Sequence, residues 1–136
     1  MNTVLELHDS RVAEIAQRDG MVTVHFQPAY LHKSEGRPGF DPGTGWVQEA
    51  RLKFSEATTS GEFPDWPCDL RDAELIVGAE RHRDQIPVPF ESAMVTELRL
   101  ICDAAHTVTV TGRAAILELL GEPSYVEEYR AHHSPS

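Results

Sequence analysis

The sequence predicts an all-β protein, an antiparallel β-sandwich or partly open barrel of about seven or eight strands, to which a short C-terminal helix can be added. Three observations predict it. Trp46, Gln48, Ala50, Leu52 and Phe54 alternate with Val47, Glu49, Arg51, Lys53 and Ser55, the period of a strand that buries one face. The same alternation returns in Val22, Val24 and Phe26, and in Leu98, Leu100 and Cys102. No segment offers the long amphipathic helix that a parallel α/β crossover requires. Leu52, Phe54, Val24, Phe26, Leu98 and Leu100 are therefore the expected core.

Taken in order, Leu5 and Leu7 share a face of a first strand that reaches His8. Val12, Ile15 and Ala16 stand at helical spacing, yet a strand with a bulge between Val12 and Ile15 is favoured. The reason is Asp19-Gly20, a tight-hairpin signal that needs a strand on both sides and a positive φ at Gly20. Pro28 has no N–H to donate, so it ends or edges the strand that starts at Met21, and Tyr30 to His32 resume it. Residues 33–45 carry four glycines and two prolines and read as a long loop. After the strand 46–56, residues 57–69 read as a second irregular stretch with Gly61, Pro64, Trp66 and Pro67.

Ala73, Leu75, Val77 and Ala79 mark another strand, and the polar turn 81–85 leads to Ile86, Val88 and Phe90. Pro87 and Pro89 alternate with these and place the segment at a sheet edge. Residues 94–103 and 107–111 read as a hairpin about Ala104-Ala105-His106, and Gly112-Arg113 turns into 114–120. Beyond Gly121-Glu122-Pro123, the Ser124-Tyr125-Val126-Glu127 pattern is a capping box, which predicts one or two helical turns through Arg130. Residues 1–130 are expected to form one domain and 131–136 a frayed tail.

The chain has 136 residues and a formal charge of −10, from 12 Lys and Arg against 22 Asp and Glu, with seven histidines. An acidic surface repels phosphate backbones, which argues against nucleic-acid partners; it suits simple solubility first, or a basic protein partner or a bound cation. Cys68 and Cys102 show no CxxC or mixed Cys/His spacing, so two free thiols are expected. The N-terminus lacks a basic region followed by an apolar run, and no stretch approaches the ~20 apolar residues of a membrane span. A cytoplasmic protein without membrane partners is expected.

Candidate sites are few. His8, His25, His32, His82 and His106 could gather with Asp9 or Asp41 as metal ligands, but no HxH, HExxH or HxxxH spacing supports this, and no metal or cofactor is assigned. His132 and His133 fall in the tail. His8-Asp9-Ser10 holds the residue types of a hydrolase triad, but neighbours in sequence cannot converge on one reacting atom, so Asp9 and Ser10 read as locally bonded turn residues. Gly36, Gly39, Gly43 and Gly45 match no phosphate-loop spacing. The mid-chain carboxylates read as solvated faces, and no catalytic residue is assigned. The aromatic residues Tyr30, Phe40, Trp46, Phe63 and Trp66 are the candidate ligand-binding set, because three of them sit in the irregular segments.

These features predict a small acidic binding or interaction module without catalytic machinery. One alternative is an inhibitor or immunity-type binder of a basic protein, a comparison that rests on charge and size. Another is a small-ligand binder or enzyme with a pocket under 33–45 and 57–69. The edge at Ile86 invites pairing with a second copy as a homodimer.

Overall fold

Alternation and turn chemistry are realised together in the computed structural model, which describes residues 1–129. The strands are β1 (Asn2–Glu6), β2 (Arg11–Arg18), β3 (Met21–Ser34), β4 (Gly43–Ser55), β5 (Thr58–Gly61), β6 (Cys68–Asp69), β7 (Asp72–Val77), β8 (Glu80–Arg83), β9 (Gln85–Val88), β10 (Glu91–Ser92), β11 (Thr96–Asp103), β12 (His106–Gly112) and β13 (Ala114–Tyr129). They form two antiparallel sheets, and neither closes into a barrel. One runs β10-β13-β4-β3-β1-β9, with β2 beside β3 and β6 beside β2; the other runs β5-β12-β11-β7-β8.

The expected inner faces meet. Val22, Val24 and Phe26 of β3 pair with Phe54, Leu52 and Ala50 of β4. Across the core, Leu98 and Leu100 of β11 pair with Val110 and Val108 of β12 and with Leu75 and Ala73 of β7. All these side chains are buried in one cluster. Asp19 and Gly20 both take positive φ, 53° and 79°, the left-handed pair that a two-residue hairpin turn needs. The bulge in β2 falls between Val12 and Glu14, which returns Ile15 to the inner face opposite Val24. The Pro87 segment is an edge, since β9 ends its sheet and pairs only with β1 among the described residues.

Several expectations are corrected. The first strand stops at Glu6, and Leu7–Asp9 is a single 3-10 turn. Pro28 does not end β3; the strand accepts one extra residue between Phe26 and Ala29 and continues to Ser34. The first loop shrinks to 35–42, because Lys33 pairs with Thr44 and His32 with Gly45. The second shrinks to 62–67, because Thr58–Gly61 pairs with β12 and Cys68–Asp69 with β2. The 81–85 turn is instead β8, and the reversal sits at Gly78-Ala79, where Gly78 has φ 58°. These short strands raise the count from about seven or eight to thirteen among the described residues. The capping-box segment 124–129 is strand, not helix: Ser124, Tyr125 and Glu127 pair with Val47, Trp46 and Gly45. Cross-strand partners on β4 outweigh a local pattern that favours helix by only about 1 kcal/mol. The expected tail 131–136, with His132 and His133, lies outside the described residues.

Cys68 and Cys102 are unbonded thiols against the core. Burial, and then the neighbouring Cys68, pushes the Cys102 thiol up to about 12. No helix of the described residues is long and apolar enough to cross a membrane.

Phe54 is fully buried between the sheets. Phe54→Ala should destabilise the fold by about 3–5 kcal/mol, read as a lower urea midpoint. A loss below about 1 kcal/mol would mean that the two sheets do not share this core.

Candidate functional site

The extra residue in β3 decides which side chains reach the site. Before it, Val22, Val24 and Phe26 face inward; after it, Ala29 and Leu31 do, opposite Gln48 and Trp46. Parity has flipped, so Tyr30, His32 and Ser34 point to the outer face of the sheet. There they join Glu6 and Val4 of β1, which pair directly with Tyr30 and His32.

An outer face is normally wet, yet Glu6, Tyr30, His32 and Ser34 are all buried. Loop 35–42 folds back across them. The Gly39 N–H donates to His32 Nδ1. Gln85 Nε2 donates to the Pro38 carbonyl (3.4 Å), Asn2 Nδ2 to that of Gly36 (2.7 Å), and Ser34 Oγ to that of Pro42 (2.8 Å). Glycine is required at 39: its φ is +89°, and a Cβ there would stand 2.2 Å from Gln85 Nε2 and 3.4 Å from Glu6 Oε1. Gly45 allows a second close approach, since a Cβ would lie 1.9 Å from the Tyr30 hydroxyl. That hydroxyl donates to Glu127 Oε1 at 2.9 Å.

The 3-10 turn after β1 carries His8 and Asp9 up beside Glu6. Asp84, at φ 62° between β8 and β9, holds the turn in place. Its Oδ1 accepts from the His8 N–H (2.8 Å), its carbonyl accepts from the Leu7 N–H (3.0 Å), and its Oδ2 bonds His8 Nδ1. His8 Nε2 then faces Asp9 Oδ2 at 3.1 Å. Glu6, His8, Gly39, Asp84 and Gln85 border a cleft of about 440 Å³. Glu6 and Asp84 form its inner wall, and exposed Phe40, Arg71 and Arg83 form its mouth. Asp72 and Arg83 also border a neighbouring groove of about 320 Å³ with Arg81 and Arg99.

Charge is unusually confined here. Glu6 is 3% exposed, and its Oε2 has no hydrogen-bond partner. Burial, and then the hydrogen bond and charge of Asp9, raise the Glu6 carboxyl to about 7. Asp84 is raised by burial, against the opposing pull of His8. Burial alone would lower His8, but Asp84 first and then Asp9 and Glu6 outweigh it and raise the imidazole. His32 is lowered by burial, with Asp41 opposing, and a neutral ring whose Nδ1 accepts from Gly39 carries its proton on Nε2.

The five aromatic candidates do not form one cluster. Leu31 pairs with Trp46, so Trp46 lies on the inner side of the sheet and Tyr30 on the outer. Trp46 packs edge-on against Tyr125 (5.4 Å) beneath Lys33 (4.7 Å). Phe63 packs against Trp66 (6.1 Å), a pair separate from both. Phe40, 53% exposed, lies under Arg37 and is the one of the five that borders the cleft. Ser10 is no nucleophile of a triad: its Oγ donates to the Glu6 carbonyl (2.7 Å) and accepts from the Tyr30 N–H (2.9 Å). His25 bonds Glu49 and His106 bonds Asp103, each away from the cleft. Sequence reasoning missed Glu6, Asp84, Arg71 and Arg83. The available signal was an acid set between Leu5 and Leu7 in a strand.

Comparison with known proteins finds no match: no family model, no curated protein and no solved structure is significantly similar to this chain.

The raised Glu6, Asp84 and His8 all bind protons more tightly folded than unfolded. Their stabilisation is present at low pH. It is lost as pH rises from about 4.5 towards about 7 for Glu6, and above the ordinary imidazole value for His8. In buffer with a chelator, wild-type stability should fall between about pH 5 and 8. Glu6→Gln should remove on the order of 3 kcal/mol of that fall, read from urea midpoints across the range. Parallel pH profiles for wild type and variant would show that Glu6 titrates as an ordinary exposed carboxyl.

Proposed function

We propose that this chain is a recognition module that binds a small ligand in the cleft beside loop 35–42. The observation that carries this reading is Glu6. A buried carboxylate oxygen without a partner costs about 1–3 kcal/mol or more, which folding alone gives no reason to retain. A ligand that supplies the missing partner does give one. The lining carries both charges, with Glu6, Asp72 and Asp84 buried or half-buried and Arg71 and Arg83 exposed. It suits a ligand that carries positive charge inward and an anionic group outward, with its apolar part against Phe40.

Free arginine is a suitable probe, because it has both charges; agmatine lacks the carboxylate and succinate lacks the cation. In amide-resolved NMR titrations, arginine should move residues 6–9, 39–40 and 83–85 at lower concentration than either control. Glu6→Gln should weaken that response at least about tenfold, the loss expected for one charged partner. Equal responses to all three probes, or an unchanged response in Glu6→Gln, would defeat the cleft as a recognition site.

A second reading, docking of a basic protein partner, rests on a separate observation. Beyond Leu117, the outer edge of β13 has no strand neighbour among the described residues. Leu119, Tyr125 and Val126 are exposed along it, together with Glu122 and Glu128. An extended basic segment fits such an edge by strand addition and charge pairing. A second copy fits less well, since antiparallel pairing would bring the acids of β13 against their own copies. The β9 edge is blunted by Pro87. A peptide alternating Lys and Val should bind at low salt and lose affinity steeply as salt rises. Salt-independent binding, or none, would remove this reading.

A further inference from the structure

Outside the aromatic clusters, one group of potential ligands stands apart among the described residues. Glu6, His8 and Asp9 each place one donor atom within 4.8 Å of the other two. Three features make this more than an acidic cluster. Glu6 borders the cleft, and its buried Oε2 has no hydrogen-bond partner. Asp84 bonds His8 Nδ1, which fixes the ring with Nε2 facing Asp9. A carboxylate behind an imidazole is also the arrangement that orients a metal-ligating histidine and raises its basicity.

We propose that Glu6, His8 and Asp9 hold one divalent transition-metal ion, Zn²⁺ or an ion of similar size and ligand preference, with Asp84 orienting His8. One imidazole nitrogen and two carboxylate oxygens suit such an ion better than Ca²⁺, which takes six to eight oxygens. Bond lengths near 2.0–2.2 Å ask the donors to close slightly from their present spacing. Asp9 is exposed at the end of the turn and makes that adjustment, while Asp84 holds His8. Three protein ligands leave a coordination position towards the cleft, where Arg71 and Arg83 would meet an anionic group on that position. This inference rests on the cleft reading above and names the source of its inner positive charge: the metal rather than the ligand's own cation.

The test is calorimetric titration of the full chain with Zn²⁺ alone at neutral pH, in a His132→Ala/His133→Ala background that removes the tail imidazoles. One ion per chain should bind. Glu6→Gln and His8→Ala should each weaken binding at least about 100-fold, a loss expected of direct ligands. Asp84→Asn should weaken it about 10–100-fold, as an orienting group does. His106→Ala, beside Asp103, should change nothing. Circular dichroism establishes that each variant is folded, and Glu6→Gln keeps the side-chain shape. Binding that survives both Glu6→Gln and His8→Ala, or that His106→Ala abolishes, would place the ion elsewhere and overturn the proposal. Absence of Zn²⁺ binding while arginine still binds would overturn the metal site and leave the cleft standing. Absence of both would overturn the two together.

Discussion

One extra residue in β3, between Phe26 and Ala29, is the constraint on which the site depends. A regular strand would carry Tyr30 and His32 into the core between the sheets and turn Ala29 and Leu31 outward. The bulge reverses this. The core keeps small and apolar side chains, and the polar ones go to a face that needs its own cover. Loop 35–42 is that cover, and its glycines follow from the closeness of the approach. At Gly39 the backbone lies where any side chain would strike Gln85, and it places its N–H on His32.

Burial under the loop then sets the electrostatics. Glu6 enters the outer face at the end of β1 because Leu5, its neighbour, is committed to the inner face opposite Leu31. Among the described residues the carboxyl forms no ion pair with a lysine or arginine. It meets Asp9 and a histidine held by Asp84. Glu6 and Asp84, partly screened from water beside one imidazole, hold protons more tightly than free groups. On the proposed reading, proton, metal ion and ligand cation compete for one place. That competition links the stability of this fold to what the cleft holds.

Much of the architecture was legible. The alternations 22–26, 46–54 and 98–102 place their residues in the core, and Asp19-Gly20 turns as its chemistry requires. The β2 bulge was legible too, because Val12 and Ile15 differ in parity. The bulge at Pro28 was not: a proline in a strand signals an edge or a bulge equally, and only the pairing of both flanks with β4 distinguishes them. For the same reason 33–45 and 57–69 looked longer than they are. Glycine lowers strand propensity, but Gly43 and Gly45 are needed where β4 passes close to Lys33 and Tyr30. The site was less legible than the fold. Glu6, Asp84, Arg71 and Arg83 come from four separate segments, and no spacing along the chain records their meeting. Aromatic content drew attention to Trp46, Phe63 and Trp66, whose packing is explained by the core and by one another.

The central claim is that loop 35–42 is a fixed cover over the outer face rather than a free connection. Hydrogen exchange at the Gly39 amide tests it most directly, because that N–H has its partner on a buried side chain of β3. Under native conditions it should be protected to a degree comparable with the strand amides of β3, and His32→Ala should release it while those strand amides stay protected. Exchange of Gly39 at the rate of an open loop in the wild-type protein would contradict the account, since neither the burial of Glu6 nor the cleft would then persist.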